Sequence, residues 1–261
     1  VCQLHEPGGR GTSDALGEVV EDRAMARAET ERCIAVIDRI RAVRVGSGIS
    51  VKLTSIGLDI DVGLCRDHLR EILAHAASRD VFVRIDMENT PYTDVTLSLA
   101  REMWEQFPMS VGVVLQAYLH RTLADCQDIG PTGMSVRLCK GIYVESESIS
   151  YKNRDEIRES YLNSLETLLD YGTFVGIATH DDYLLDRAAV MIADLQTPST
   201  AYEYQMLLGV RGTRRQQLVA DGHQMRVYVP FGRDWYGYSI RRLKENPAVA
   251  GHVFKAMFTG E

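Results

Sequence analysis

Three features of the sequence predict a single α/β domain built as a distorted (β/α)8 TIM-type barrel. The chain has 261 residues, close to the roughly 250 typical of such barrels. Short runs rich in β-branched and aromatic residues alternate with longer stretches of helical periodicity, the order that produces a parallel sheet. Each run also ends in residues too polar for a packed core, among them Lys52, Asp86, Gln116, Lys140, His180 and Gln205. In a closed parallel barrel the C-terminal strand ends meet at one mouth, where ligands bind. The polar ends are therefore expected to line one cavity.

The elements follow in order. Residues 18–43, rich in Glu, Arg and Ala, read as a helix that precedes every clear strand. A strand at 51–53, with Lys52 inside it, leads to a helix at 66–78. Strands at 82–86, 113–116 and 136–140 lead to helices at 92–106, 119–126 and 154–170. Strands at 175–180, 202–205 and 227–228 precede helices at 182–193, 213–220 and 235–244. From residue 51 this gives seven strand–helix units. The eighth strand needed for closure has room only before residue 18, where residues 1–13 are Gly-rich and read poorly as a strand. Residues 145–153, polar and Ser-rich, read as a long loop at the barrel mouth. With no internal repeat, low-complexity tract or linker-like composition shift, one barrel domain over residues 1–261 is expected.

Composition removes several classes of function. A net charge of -7 argues against nucleic acid, whose phosphates call for a basic surface. The five cysteines, Cys2, Cys33, Cys65, Cys126 and Cys139, include no C-x-x-C and no regular spacing, so neither a disulfide framework nor a zinc site is indicated. No apolar stretch approaches the roughly 20 residues that span a bilayer, and no signal-peptide pattern opens the chain. A soluble chain in a reducing compartment is expected, at most peripheral to a membrane.

The candidate chemistry sits at the strand ends. Arg241 and Arg242 follow the last strand; an arbitrary Arg pair is most often a solvated face, but guanidinium groups here match a carboxylate or phosphate in bidentate geometry. Lys52, between Val51 and Leu53, needs a partner if buried and adds a third cation. Three cations around one mouth imply an anionic ligand. Asp86 is open to three roles: general base, metal ligand, or structural partner of Lys52. Metal is the weakest of these, because His180 is the only histidine at a strand end and no H-x-H or H-E-x-x-H spacing occurs. Cys139 lies within a strand and no Ser sits in a G-x-S-x-G turn, so no nucleophile declares itself. Polar groups without nucleophile or metal point to an organic cofactor as the source of reactivity. Alternation sends Arg137 and Cys139 to one side of their strand. Lys140 is either an exposed strand end or, beside Gly141, a phosphate ligand; Thr179 and His180, just before a helix, also suit an anion. Gly46 and Gly48 precede a strand and lack the third glycine of a dinucleotide fingerprint.

These motifs, in their order, resemble the flavin-dependent proline dehydrogenases of the bacterial single-activity type. The resemblance runs from Leu16-Gly17-Glu18 through residues 50–54, 84–88, 116–118, 137–143, 178–181 and 202–209 to residues 228–232, Arg241-Arg242 and Glu245. It implies a distorted eight-stranded barrel that binds FAD without a covalent link and oxidises L-proline to 1-pyrroline-5-carboxylate, with electrons passing to a quinone. By resemblance, Arg241, Arg242 and Lys52 form the substrate-carboxylate clamp, and Tyr228 and Leu207 pack on the proline ring. Asp86 and Tyr143 match the polar pair of the active site, Asp86 also holding Lys52. Arg137 falls beside the reactive flavin nitrogen, Met87 and Gln116 near the flavin ring, and Lys140, Gly141, Ile142, Thr179 and His180 along the ribityl and phosphate groups. Glu18 matches a gate residue that pairs with Arg241. Ile142 stands where many members have Ala, and residues 1–10 match nothing in the pattern, as a truncated start would. The resemblance further implies a cytoplasmic enzyme, at most peripheral at the inner membrane, with pyrroline-5-carboxylate dehydrogenase as a candidate partner. The competing classes are a barrel aldolase or lyase using Lys52 or Lys140, and a non-enzymatic binder of small anions.

Overall fold

The computed structural model describes residues 10–15, 20–43 and 46–231. Eight strands close into a barrel in sequence order: β1 (Arg10–Ala15), β2 (Ser47–Val51), β3 (Val83–Ile85), β4 (Val111–Gln116), β5 (Ser135–Cys139), β6 (Val175–Ala178), β7 (Tyr202–Leu207) and β8 (Met225–Phe231). Between them lie α1 (Arg23–Val43), α2 (Val62–Ala77), α3 (Thr93–Gln106), α4 (Thr122–Ile129), α5 (Arg154–Asp170), α6 (Asp182–Asp194) and α7 (Gly212–Ala220). The (β/α)8 expectation is met. By its internal contacts the chain divides within β4, between Val113 and Val114, and within β8, between Val227 and Tyr228.

In the first half, β1, β2, β3 and β4 pair in parallel, with Ile49, Val83 and Val111 in one register line and Asp14, Ser50, Arg84 and Gly112 in the next. Successive strand residues face opposite sides. The apolar line is fully buried, as are Ile37 of α1, Leu69 and Ile72 of α2 and Ala100 and Met103 of α3. Each such large aliphatic side chain contributes about 1.5–3 kcal/mol on burial. The polar line takes the other face, where Asp14 and Ser50 are also buried. Arg84 is satisfied there by the Val113 carbonyl at 3.0 Å and by the Phe82 ring beneath its guanidinium.

In the second half, β5, β6 and β7 run parallel, with Val136 and Val175 level with Tyr202, and Arg137 and Gly176 level with Glu203. Tyr161, Leu165 and Leu168 of α5 and Leu184, Leu185 and Ala188 of α6 are buried. Tyr161 spends its hydroxyl on the Leu138 carbonyl at 3.0 Å, so a large aromatic is accommodated without an orphaned polar atom.

Several elements depart from the sequence expectation. The weakly read N-terminal segment contains a strand, β1, and its ladder to β2 begins at Gly11 and Ser47. Its polar residues Thr12, Ser13 and Asp14 are buried, which apolar pattern reading cannot anticipate. β2 starts earlier than expected and ends at Val51, so Lys52 follows the strand rather than lying inside it. Asp86 likewise comes one residue after β3. α2 begins at Val62 because the Asp61 side chain caps it, accepting from the Leu64 N–H at 2.7 Å. α4 starts at Thr122 rather than 119, because the backbone of Tyr118 and His120 bonds to Tyr151 and Ile149 of the Ser-rich loop. The expected helix at 235–244, with Glu18, Arg241 and Arg242, falls outside the described residues.

Candidate functional site

Polar side chains of the first half gather at the C-terminal ends of β1, β2 and β3. Lys52 Nζ lies 2.9 Å from Asp14 Oδ1 and 3.8 Å from Asp86 Oδ2. Asp86 accepts from Ser50 Oγ at 3.2 Å and from the Tyr228 hydroxyl at 3.1 Å. The expected Lys52–Asp86 pairing is thus the longer contact, and Asp14, which the sequence reading did not single out, is the closer one. Asp14 is almost wholly buried while the Lys52 side chain keeps 32% of its exposure, so the ammonium can still meet a ligand. Glu88 accepts from the Thr54 N–H at 3.1 Å and from the Thr54 hydroxyl at 2.7 Å. Burial pushes the Glu88 carboxyl above its ordinary pKa, and the Thr54 bonds only partly offset this. Met87 is buried between Asp86 and Glu88 in sequence.

The second half carries two further networks. Arg137, on β5, donates from Nε to Gln205 Oε1 at 2.6 Å, and Gln205 Nε2 donates to Glu203 Oε1 at 2.8 Å. Arg226 of β8 donates to the same Glu203 oxygen. Lys140 Nζ stands 3.3 Å from Asp181 Oδ2, and Arg158 of α5 grips both oxygens of that carboxylate at 2.8 and 3.1 Å. Burial would raise the Asp181 pKa, but the Arg158 hydrogen bonds and the Lys140 charge outweigh it and hold the carboxyl well below the usual range. His180 Nε2 accepts the Leu207 N–H at 3.0 Å, which puts the ring proton on Nδ1 as a donor. The buried Thr179 hydroxyl accepts the Asp181 N–H at 3.2 Å, and Gln116 is buried at the end of β4. Gly141 sits at φ 106°, with the Tyr118 ring so close that a Cβ there would lie 2.0 Å from Cδ1. Only glycine fits at that turn. The Tyr118 hydroxyl is buried and has no hydrogen-bond partner among the described residues. Ile142 and Tyr143 are half-buried in the connection from β5 to α5.

Of the residues read from the sequence, the structure joins Lys52, Asp86 and Tyr228 in one half; in the other, Lys140 and Thr179 meet at Asp181, and His180 meets Leu207. The sequence reading missed Asp14, Glu88, Arg158, Asp181 and Glu203. Two signals were available: Asp181 stands where an N-cap opens α6, and Glu203 is a charge between two tyrosines near the start of β7. Among the described residues, no group of three or more His, Cys, Asp or Glu is placed to hold a metal ion, and no helix is long and apolar enough to cross a membrane.

Fold and site together define a (β/α)8-barrel enzyme with its polar groups at the C-terminal strand ends. A family model described as Proline dehydrogenase matches residues 2–255. Proline dehydrogenase 2 of Bacillus subtilis (strain 168) is 38% identical over 257 residues, 98% of this chain and 84% of its own. The proline dehydrogenase of Deinococcus radiodurans is 33% identical over 264 residues, 100% of this chain and 85% of its own. Among solved structures, proline utilization A from Bdellovibrio bacteriovorus, inactivated by N-propargylglycine, shares the fold with a TM-score of 0.84 at 24% identity; the match covers 95% of this chain and 31% of that one. The chain belongs to the proline dehydrogenase family and is an oxidoreductase.

Proposed function

We propose that the chain oxidises L-proline to 1-pyrroline-5-carboxylate with non-covalently bound FAD as the first electron acceptor and a quinone as the next. The observation that carries the cofactor assignment is the donor set of the second half. Arg137 within β5, Lys140 just past the end of β5 and the Nδ1–H of His180 just past the end of β6 form a set of donors suited to phosphates and to an electron-rich ring. The buried Tyr118 hydroxyl is a further polar atom that a bound ligand can satisfy. The residues present therefore fit the group. In this reading Lys140, Gly141, Ile142, Thr179 and His180 hold the ribityl and phosphate portion, Met87 and Gln116 flank the ring, and Arg137 stands beside its reactive nitrogen.

Bound there, a flavin supplies the two-electron acceptor for hydride from the carbon next to the proline nitrogen. Lys52, held by Asp14 and only half-buried, offers its ammonium to the proline carboxylate, alongside Arg241 and Arg242, with Glu18 as the gate. Tyr228 and Leu207 pack against the proline ring, and Tyr143 borders the site with Asp86. Asp86 already accepts from Ser50 and Tyr228, so its task is to fix charge and orientation rather than to remove a proton from carbon. Both lysines are ion-paired rather than set in the apolar surroundings that activate a Schiff-base lysine, which counts against the aldolase class. A dehydrogenase acting on pyrroline-5-carboxylate would consume the product.

The experiment is direct. Purified protein is expected to be yellow, to release FAD on denaturation, and to turn over L-proline with a dye acceptor. Release of FMN, or of no flavin, overturns the cofactor assignment; a flavin-loaded protein without proline turnover overturns the substrate.

A further inference from the structure

The register of the second half sets Arg137, Gly176 and Glu203 side by side on β5, β6 and β7. The middle position of this line has no side chain. Gln205, one step further along the face of β7, folds its amide into the vacated space: a Cβ on Gly176 would lie 2.3 Å from Gln205 Nε2 and 2.8 Å from its Cδ. Through that slot the amide joins the two charged residues. Its oxygen accepts from Arg137 Nε at 2.6 Å, and its nitrogen donates to Glu203 at 2.8 Å.

The amide can sit only one way round. A carboxylate accepts and a guanidinium donates, so Glu203 must receive the NH2 end and Arg137 must meet the carbonyl end. Glu203, Gln205 and Arg137 are exposed by only 1, 6 and 7%, so a mismatched amide would leave buried groups unpaired. Arg226 supplies the counter-charge that makes a carboxylate tolerable in the barrel wall. Arg137 Nε thus bonds to an amide whose other end is held by Glu203.

We infer that Glu203 is a positioning residue that orients Arg137 through Gln205, in a slot kept open by Gly176. The inference rests on the reading of Arg137 as the cation beside the flavin. It differs from a plain effect of charge by sign. Acting through space, the Glu203 carboxylate disfavours the anionic reduced ring, so its removal would raise the flavin potential. Acting through Arg137, it holds a cation in place, so its removal lowers the potential.

The test measures the two-electron potential of bound flavin in flavin-loaded wild type, Glu203→Gln, Gln205→Met, Arg137→Met and the Glu203→Gln/Arg137→Met double variant. Glu203→Gln and Gln205→Met are each expected to lower the reduced-to-oxidised ratio at fixed potential by about tenfold, ~30 mV for a two-electron couple. Arg137→Met should lower it at least as far, and the double variant no further. Gln205→Met removes no charge, so it carries the test alone if Glu203→Gln does not fold. An unchanged or raised potential in the relay variants, with Arg137→Met lowered, overturns the relay and leaves the reading of Arg137 standing. An unchanged potential in Arg137→Met removes that reading and the relay with it. Loss of flavin from both relay variants while Arg137→Met retains it also overturns the relay, since misplacing Arg137 cannot cost more than deleting it.

Discussion

Lys52 and Asp14 share an ion pair, but the two ends are not equivalent. The Lys52 side chain retains 32% of its exposure and has Asp86 at 3.8 Å as a second partner, whereas the Asp14 side chain retains 2%. Removing the lysine strands a carboxylate sealed from water. Removing the aspartate leaves an ammonium that can turn to solvent. Lys52→Met is therefore expected to destabilise the fold by about 3 kcal/mol, at the lower end for broken buried pairs, and Asp14→Asn by about 1 kcal/mol, as for exposed ones. Urea unfolding of both variants measures this, and equal losses, or a larger loss for Asp14→Asn, would show the asymmetry to be wrong. Asp14 also illustrates what residue-by-residue reading cannot reach. Lys52 announced a need for a partner from its apolar neighbours, but nothing in Arg10-Gly11-Thr12-Ser13-Asp14 marks it as the strand that supplies one.

Asp181 ties three elements together. Its side chain caps α6 by accepting the Tyr183 N–H at 3.2 Å, takes Arg158 from α5, and meets Lys140 at the end of β5. Because its pKa in the fold is depressed, the stability it contributes is complete above the unfolded carboxylate pKa of about 4 and drains away as pH falls below it. Asp181→Asn, which keeps a capping oxygen, is expected to cost about 2 kcal/mol at pH 7. The gap to wild type should narrow between pH 4 and pH 2. Urea midpoints at pH 7, 4 and 3 decide it, and a gap as wide at pH 3 as at pH 7 would assign the loss to packing instead. At this scale the sequence is a good guide where pattern and cap agree. The β-branched runs of β3 to β7 and the helices that follow them are legible, whereas the Asp61 cap that starts α2 at Val62 went unread and the helix was expected only from 66. It fails for β1, whose buried polar residues imitate a loop, and for the start of α4, where the Ser-rich loop takes up backbone groups that the helical pattern would claim. The site shows the same division: charged residues in or beside apolar strands are visible as chemistry out of place, while which carboxylate holds which cation, Asp14 with Lys52, Asp181 with Lys140 or Glu203 with Arg226, depends on register and on contacts distant in sequence.

Across the whole molecule, the proposed function assigns a different ligand to each set of residues, and this makes the reading testable as a pattern rather than one variant at a time. Lys52, Asp86 and Tyr228 in the first half serve the substrate; Lys140, Thr179 and His180 in the second serve the cofactor. Tyr228→Phe keeps the ring and deletes only the hydroxyl that donates to Asp86. Its loss of about 1 kcal/mol corresponds to roughly a fivefold fall in kcat/KM for proline, with flavin content unchanged. Lys140→Met removes a charge-assisted donor but leaves Asp181 gripped by Arg158. Flavin affinity should fall by about tenfold or more, while protein reloaded with saturating FAD should recover a near-normal kcat/KM. Flavin release after gel filtration and steady-state kinetics on reloaded protein separate the two effects. Should Tyr228→Phe shed its flavin, or Lys140→Met keep it while losing kcat/KM for proline, the division of labour proposed for these strand ends is wrong.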